Sequence, residues 1–463
     1  MKRFKEKYIG DRNFYRHALG LAIPMILQNL ITNFVSMLDN IMVGQVGTMQ
    51  MSGVSIVNQF IFVFNITIFG AVSGASIFGT QFYGKGDHEG HRYTMRFRIL
   101  LTAIIIAIFA VAFRVFEQPL INLFLSEEDA PEVIAATLQY GKDYLRIIIW
   151  SLIPFGIGQV YSSIVREIGE TKIPMLGSLA AIGINLILDY GLIFGKLGMP
   201  QMGVAGAAVA TVIAKIIEAL VVVIWAHTHK EKNKYIVGLY SSFYVPVSLA
   251  RDMFLKGCPL LANEFLWSLG MSVVAQSYSV RGIDVVAARN IASTITNMFN
   301  VVFVQMGGCL GLMVGLKLGE GDLEGARDTD NKMIMLSEIL TLVMTVLMFP
   351  TAVFFPEIYN TEPRVMELAT YFIVISAIAM PIWAYTNAAY FTLRSGGKTG
   401  ITFAFDFGFS WFLMIPLAFC LTHYSSMDIY AIYAIVTFSE LIKVVIGYFM
   451  VKSDIWVVNI VGD

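Results

Sequence analysis

The sequence carries the same landmarks twice. Residues 84–92 (GKGDHEGHR) return 235 positions later at 319–327 (GEGDLEGAR), with Gly, Gly, Asp, Glu, Gly and Arg in register. At the same offset, PMIL at 24–27 matches PLLA at 259–262. A third pair, RxxGET at 166–171 and RxxGKT at 394–399, lies 228 positions apart. This duplication predicts a fold built from two repeated lobes.

The chain is too apolar for a soluble protein. Of its 463 residues, 57% are hydrophobic and 14% charged, whereas soluble domains are roughly 45–50% apolar and 25% charged. The three cysteines, Cys258, Cys309 and Cys420, lie in apolar segments without paired spacing, which argues against a disulfide framework or a zinc site. No basic run indicates a nucleic-acid partner. The composition therefore indicates an integral membrane protein.

Twelve stretches are long enough to cross a bilayer, which takes about 20 largely apolar residues. The first is longer than the roughly 7–15-residue apolar core of a signal peptide, so we expect it to be retained as a span. The predicted spans are 17–43, 53–82, 94–116, 133–164, 173–195, 203–227, 250–277, 284–316, 331–353, 365–393, 399–421 and 428–451.

Basic residues fall on one side of these spans. The N-terminus and the even-numbered connections hold most Lys and Arg, whereas the connection at 126–132 is acidic. By the positive-inside rule, both termini are cytoplasmic. Since six spans return the chain to its starting side, the second lobe repeats the first about an axis along the membrane normal. We predict an all-α protein with an N-lobe at 1–227, a cytoplasmic linker at 228–249 and a C-lobe at 250–463.

Both copies of the glycine motif fall on the predicted cytoplasmic side. In each copy, glycines allow a sharp turn and an Asp, Asp87 or Asp322, precedes the next helix near its positive end. A GxG sequence can also form a phosphate-binding loop, but here no strand precedes it and no GKS or GKT follows. We therefore predict two structural turns.

Four oxygen-bearing residues are predicted at one depth of the N-lobe. Asp39 lies in the outward third of span 1, Asn185 and Asp189 lie one turn apart near the outer end of span 5, and Thr211 lies about two turns into span 6. A charge at the bilayer centre costs roughly 2.5–3.5 kcal/mol on insertion scales, so each acid needs a partner or a function. Such oxygens suit a small cation, and two close carboxylates suit a proton carrier. Alternatively, each acid is hydrogen-bonded separately to neighbouring helices.

Other intramembrane charges leave more than one interpretation open. Lys215 follows Thr211 by one turn, and it either pairs with Glu218 or competes with a cation at Asp39 or Asp189. Glu264, in span 7, is a candidate contact for substrate or a second cation, or else a structural hydrogen-bonding group. Asp406 is expected to face a polar helix contact or an inner vestibule. Glu440 and Lys443, three apart in span 12, are expected to neutralise each other.

A series of short motifs follows one another along the chain. They are PM at 24–25, DNIMVG at 39–44, GxQxxGxGD at 79–87, RxxGETKxPM at 166–175, NLILDYxLIFG at 185–195 and GVAGAAxAT at 203–211. In this order the motifs resemble those of the multidrug and toxic compound extrusion family, and the resemblance covers almost the whole chain. It implies twelve helices in two six-helix lobes around a central cavity, and export of organic cations and other amphipathic compounds in exchange for sodium ions or protons.

The resemblance also implies a site. The family's N-lobe cation site falls on Asp39, Asn185, Asp189 and Thr211, and its C-lobe acid in span 7 falls on Glu264. The span 10 acid of that branch is missing, because residues 382–387 hold no carboxylate. A full C-lobe cation site is therefore not expected. Lys215 is not matched to the family pattern, and we interpret it as a modulator.

Two other functions, a flippase and a membrane-embedded enzyme, make different demands on the sequence. A lipid-linked precursor flippase of the same superfamily would need an Arg-rich cavity, and Arg146 is the residue that bears on it. A membrane-embedded enzyme would need a His beside an acid near an interface, but the six histidines are scattered. We therefore expect a non-enzymatic antiporter with no cofactor and no metal beyond a coupling sodium ion. It is expected to act as a monomer in the plasma or inner membrane.

Overall fold

The structure is a computed structural model that describes residues 7–125, 130–359 and 361–462, without the side chains of Met37 and Asn40. Residues 126–129 of the acidic connection lie outside the described residues. All twelve predicted spans are confirmed as helices that are long and apolar enough to cross a membrane. They are α1 Arg12–Gly44, α2 Thr48–Lys85, α3 His88–Val115, α4 Pro131–Glu167, α5 Lys172–Phe194, α6 Val204–Thr228, α7 Val247–Ser279, α8 Ile283–Gly319, α9 Leu323–Glu357, α10 Pro363–Ser395, α11 Thr399–Tyr424 and α12 Ile429–Lys452.

The duplicated glycine motif forms two equivalent turns, as predicted. Gly86 and Gly321 both have φ of 77°, a left-handed conformation that favours glycine. Asp87 accepts hydrogen bonds from the backbone N–H groups of Glu89 and Gly90, and Asp322 accepts one from that of Gly325. Each Asp therefore caps the next helix, α3 or α9, at its positive end.

Three helices, α1, α2 and α7, are divided between two compact units. One unit comprises Met1–Ile26, Thr80–Gly86 and Cys258–Asp463, and the other comprises Leu27–Gly79 and Asp87–Gly257. The boundary in α1 lies just after Pro24, and the boundary in α7 lies just before Pro259. A proline inside a helix removes one backbone hydrogen bond and weakens the helix at that place. The duplicated prolines thus mark the positions at which α1 and α7 pass from one unit to the other.

In the first unit, the early part of α1 packs against α8. The Cys309 thiol donates to the carbonyl of Ala18, and the Met25 side chain lies against Gly308. These contacts bury small and apolar residues of both helices in one core, which includes Leu21 and Met313.

The C-terminal segment folds back onto the predicted cytoplasmic end of the same unit. The Gln81 amide nitrogen donates to the carbonyls of Ser395 and Val458, and the N–H of Ile460 donates to the Gln81 amide oxygen at 2.8 Å. Trp456 is 1% exposed and donates its ring N–H to Val451. A buried glutamine thus anchors the end of the chain.

In the second unit, the segment at 228–249, which we predicted as a linker, is fixed to α3. The Arg96 guanidinium donates to the carbonyls of Gly238, Leu239 and Tyr244, and Arg92 donates to that of Tyr235. These bonds satisfy backbone oxygens that have no helical partner.

Candidate functional site

The site is assembled by close packing of α5 and α6 in the second unit. Gly195, with φ of 67°, ends α5 and Gly203, with φ of 57°, precedes α6, so a short connection reverses the chain. A Cβ at Gly206 would lie 2.7 Å from the backbone of Leu192, so glycine at this position lets the two helices approach closely. The close approach brings polar residues of both helices together, such as Ser178 of α5 and Glu218 of α6.

The carboxyls of Asp39 and Asp189 are hydrogen-bonding neighbours. Asp189 is 1% exposed, and Asp39 is half-buried on α1. Adjacent carboxylates repel each other and lose hydration on burial, so the pair needs a proton or a cation to balance its charge. The two acids therefore do not lie separately against other helices.

Three polar atoms of the acid pair and of Asn185 lack a hydrogen-bonding partner among the described residues. Oδ1 of Asp39, Oδ1 of Asp189 and Nδ2 of Asn185 are buried, and none of them has a hydrogen-bonding partner among the described residues. Asn185 lies one turn before Asp189 on α5 and is itself buried. An unpaired buried polar atom is costly, so these carboxylate oxygens are suited to accept an exchangeable ligand.

Tyr144 of α4 also belongs to the site, and the sequence analysis missed it. This buried tyrosine is an electrostatic neighbour of both Asp39 and Asp189. Its hydroxyl donates to the Asn58 side-chain oxygen across a long 3.4 Å contact. One tyrosine among 20, in an apolar span, gives no sequence signal that it faces two acids.

Thr211 and Lys215 lie one turn apart on α6. The Thr211 hydroxyl donates its proton to the carbonyl of Ala207 at 3.0 Å. The lone pairs of its oxygen can still accept a hydrogen bond or contact a cation. The Lys215 ammonium lies 2.9 Å from Glu218 Oε2 and interacts electrostatically with Asp39. The expected Lys215–Glu218 pair is thus present, and the lysine also interacts electrostatically with one acid of the pair, Asp39.

A chain of side chains extends from this pair toward the predicted cytoplasmic end. The Ser178 hydroxyl donates to Glu218 Oε1 at 2.6 Å, and the Gln28 amide donates to the Ser178 hydroxyl at 2.7 Å. Arg166 in turn donates to the Gln28 amide oxygen at 2.9 Å. Glu218 is therefore held on one oxygen by Ser178 and on the other by Lys215.

The side chains of this site carry oxygen donors. The acid pair offers two carboxyls, the buried Asn185 lies one turn away, and the Tyr144 hydroxyl interacts electrostatically with both acids. Thr211 of α6 bonds only its own helix among the described residues. Hard oxygen groups of this kind can bind a small cation, and carboxyls can also carry a proton.

The acids of the first unit form a different arrangement. Glu264 of α7 is an electrostatic neighbour of Arg394, Asp406 and the Tyr390 hydroxyl. Glu264 is thus placed beside a basic group, and no second acid is brought to it from α10. Its predicted role in substrate or cation contact stays a prediction.

Asp406 makes the expected polar helix contacts. Its carboxylate accepts a hydrogen bond from the Asn263 amide at 2.9 Å and forms an ion pair with Lys443. The expected pairing of Glu440 with Lys443 was incomplete, because the lysine lies 3.9 Å from Glu440 and closer to Asp406. Packing of α12 against α11 supplies a partner that helical spacing alone does not reveal.

Arg146 is paired with an acid from the segment before α4. Its guanidinium forms two hydrogen bonds to Glu117, at 2.7 and 3.2 Å, and its side chain is 46% exposed. These bonds hold the pKa of Glu117 below its ordinary value. The residue on which the flippase alternative depended is therefore already paired.

One histidine does meet an acid, contrary to the sequence analysis. His91 lies 3.1 Å from Glu167, which also pairs with Arg98 at 2.7 Å. All three side chains are at least 98% buried, and Ser76 donates to the same carboxylate at 2.6 Å. A group closed from substrate and neutralised by Arg98 is a structural ion network.

Comparisons with known proteins show similarity to one family of transporters. A family model described as MatE matches residues 24–191 and 259–420. The chain is 25% identical over 420 residues to a probable multidrug resistance protein NorM of Thermotoga maritima, covering 89% of this chain and 87% of the relative. It is 23% identical over 411 residues to the multidrug resistance protein NorM of Photobacterium profundum, covering 88% and 87%.

Solved structures share the fold. An outward-facing multidrug resistance MATE family transporter of the MOP superfamily matches with a TM-score of 0.82 at 16% identity over 98% of both chains. A MOP superfamily transporter from Pyrococcus furiosus, described as having a binding pocket of reversed polarity, matches with a TM-score of 0.82 at 17% identity over 98% of both chains.

Proposed function

Because the chain belongs to the MatE family of multidrug and toxic compound extrusion transporters, we propose that it exports organic cations and other amphipathic compounds in exchange for sodium ions or protons. It acts as a monomer in the plasma or inner membrane, with both termini in the cytoplasm. The relatives named as multidrug resistance proteins support this substrate class. The aromatic and methionine content, 34 Phe, 20 Tyr and 24 Met, suits adaptable apolar contacts.

The observation that carries the proposal is the contact between the Asp39 and Asp189 carboxyls. Two adjacent acids, each with one buried oxygen that has no partner among the described residues, bind a cation more strongly than either acid alone. A cation can move a conformational equilibrium only if its affinity differs between states. Asp39 lies on α1, whose Pro24 weakens the helix. Cation binding at the pair is thus coupled to bending or repacking of α1, which drives export.

The test is transport of a fluorescent cationic dye into or out of liposomes. A sodium gradient and a pH gradient are imposed separately on protein reconstituted from the full chain. One of them should drive dye movement by the native protein, and Asp39→Asn or Asp189→Asn should abolish it. Asp252→Asn, at an exposed acid of α7, is the matched control and should retain it.

Two results would contradict the proposal. Coupled transport by Asp39→Asn at the native rate would remove the acid pair from the mechanism. Dye movement under neither gradient, with correctly folded protein, would favour a flippase or another substrate class.

A further inference from the structure

Lys215 interacts with two different acids of the second unit, Glu218 and Asp39. Its ammonium forms an ion pair with Glu218 and interacts electrostatically with Asp39. Its stem passes near the Phe155 ring, with the ammonium 5.5 Å from the ring centroid. The side chain is 31% exposed, so solvent or open space surrounds part of it. A lysine stem with four rotatable carbons can carry its charge between two such acids.

The two alternative partners are held differently. Glu218 keeps a 2.6 Å hydrogen bond from Ser178 and an electrostatic contact with Arg166 even without the lysine. Among the described residues, Lys215 is the one basic group that interacts electrostatically with the Asp39–Asp189 pair, and each acid keeps one oxygen without a hydrogen-bonding partner. Glu218 can therefore release the ammonium at modest cost, whereas the acid pair gains its counter-charge from it.

The charges of the cluster do not balance. When ionised, Asp39, Asp189 and Glu218 supply three negative charges, and Lys215 and Arg166 supply two positive ones. One positive charge is therefore missing from a largely buried group. A single monovalent cation at the acid pair would complete the balance while Lys215 stays on Glu218.

We propose that Lys215 is a resident cation of the site, which moves from Glu218 to the Asp39–Asp189 pair when the coupling cation leaves. The coupling cation and the ammonium then compete for the same two carboxyls, and one monovalent cation is exchanged in each cycle. The exchange keeps the acid pair neutralised during the return step and speeds release of the coupling cation. This inference rests on the proposed cation site.

The two partners of the exchange predict opposite effects. Lys215→Met removes the competitor, so the concentration of the driving cation at half-maximal dye transport should fall about tenfold or more. Glu218→Gln removes the alternative partner, so the ammonium stays on the acid pair and the same concentration should rise. Lys215→Arg keeps a mobile positive charge and should lie closer to the native value.

The experiment is the liposome dye assay, titrated in whichever of sodium or protons drives the native protein. The matched control is the ion pair of Lys317 with Glu320, which has the same spacing and lies 2.8 Å apart in the other unit. Lys317→Met and Glu320→Gln should leave the half-maximal concentration unchanged. The maximal rate and the melting temperature, measured in parallel, separate cation affinity from loss of fold.

The outcomes separate failure of the Lys215 exchange from failure of the cation site. Opposite shifts for Lys215→Met and Glu218→Gln support the exchange. If Asp39→Asn abolishes coupling but neither of these variants shifts the half-maximal concentration, or both shift it in one direction, the cation site stands and the exchange is wrong. If neither gradient drives the native protein, the proposed function fails and the exchange fails with it.

Discussion

Gly319 packs directly against the backbone carbonyl of Gln81, so closely that a Cβ at this glycine would overlap the oxygen. The repeat-related Gly84 packs in the same way against the carbonyl of Leu316. At the offset of 235, Gly84 corresponds to Gly319 and Gln81 corresponds to Leu316. The duplicated glycines therefore make one reciprocal contact between the ends of α2 and α8.

Gly319→Ala should destabilise the protein, because the added methyl meets rigid backbone and overpacking costs about 1–3 kcal/mol. The melting temperature of the purified protein measures the effect. Gly408→Ala, in α11 with open space around its Cα, is the control and should be neutral or slightly stabilising. An unchanged melting temperature for Gly319→Ala would show that the contact is looser than described.

Gln81→Ala should release the C-terminal segment. It removes three hydrogen bonds, to Ser395, Val458 and Ile460, and leaves buried backbone groups unpaired at about 1–3 kcal/mol. Limited chymotrypsin digestion should then cleave near Trp456, which is protected by burial in the native protein. Gln139→Ala, at an exposed glutamine, should leave the native digestion pattern. Equal protection in both variants would contradict the anchoring role.

Glu167→Gln should be strongly destabilising. Breaking a buried ion pair leaves an uncompensated charge, here that of Arg98, at a cost of about 3–5 kcal/mol. The comparison is Glu170→Gln, whose pair with Lys232 is exposed and is expected to contribute about 1 kcal/mol or less. Similar melting temperatures for the two variants would mean that the His91–Glu167–Arg98 network is already hydrated.

Tyr144→Phe should weaken cation coupling while preserving the fold. The tyrosine interacts electrostatically with both Asp39 and Asp189, and the phenyl ring of the variant keeps the same packing. We expect the driving-cation concentration for half-maximal dye transport to rise, by about tenfold if one ligand contact is lost. Tyr140→Phe, one turn earlier on α4, should match the native protein. A native response in Tyr144→Phe would exclude its hydroxyl from the site.

Arg146→Gln should leave transport of cationic dyes unchanged, since the guanidinium is already neutralised by Glu117. The liposome dye assay measures the effect. Loss of dye transport in this variant would show that the guanidinium takes part in transport.

The Arg146–Glu117 pair also predicts a pH effect. Because the pKa of Glu117 is lowered, its stabilisation is present above the ordinary glutamate pKa of about 4.3 and is lost as the pH falls through the lowered value. The melting temperatures of native protein and Glu117→Gln should differ at neutral pH and converge in acid.

The sequence by itself determined the class of fold and the repeated elements. Long apolar stretches must become helices in a bilayer, because backbone groups there have no water to bind. Length and hydropathy therefore sufficed for α1 to α12, and the glycines with φ of 77° were evident from the motif. The depth of Asp39 and Asp189 also followed from span boundaries, since rise per residue fixes how far along a helix each side chain lies.

The tertiary structure alone decided which side chains meet. Tyr144 interacts electrostatically with both acids of the pair, Lys215 interacts with Asp39 as well as with Glu218, and Lys443 lies closer to Asp406 than to its helical neighbour Glu440. These choices depend on the rotation of each helix and on the packing of helices distant in sequence, and a run of apolar residues does not record either. The sequence thus placed the charges at their depths, and the packing of α1, α4, α5 and α6 decided that they interact.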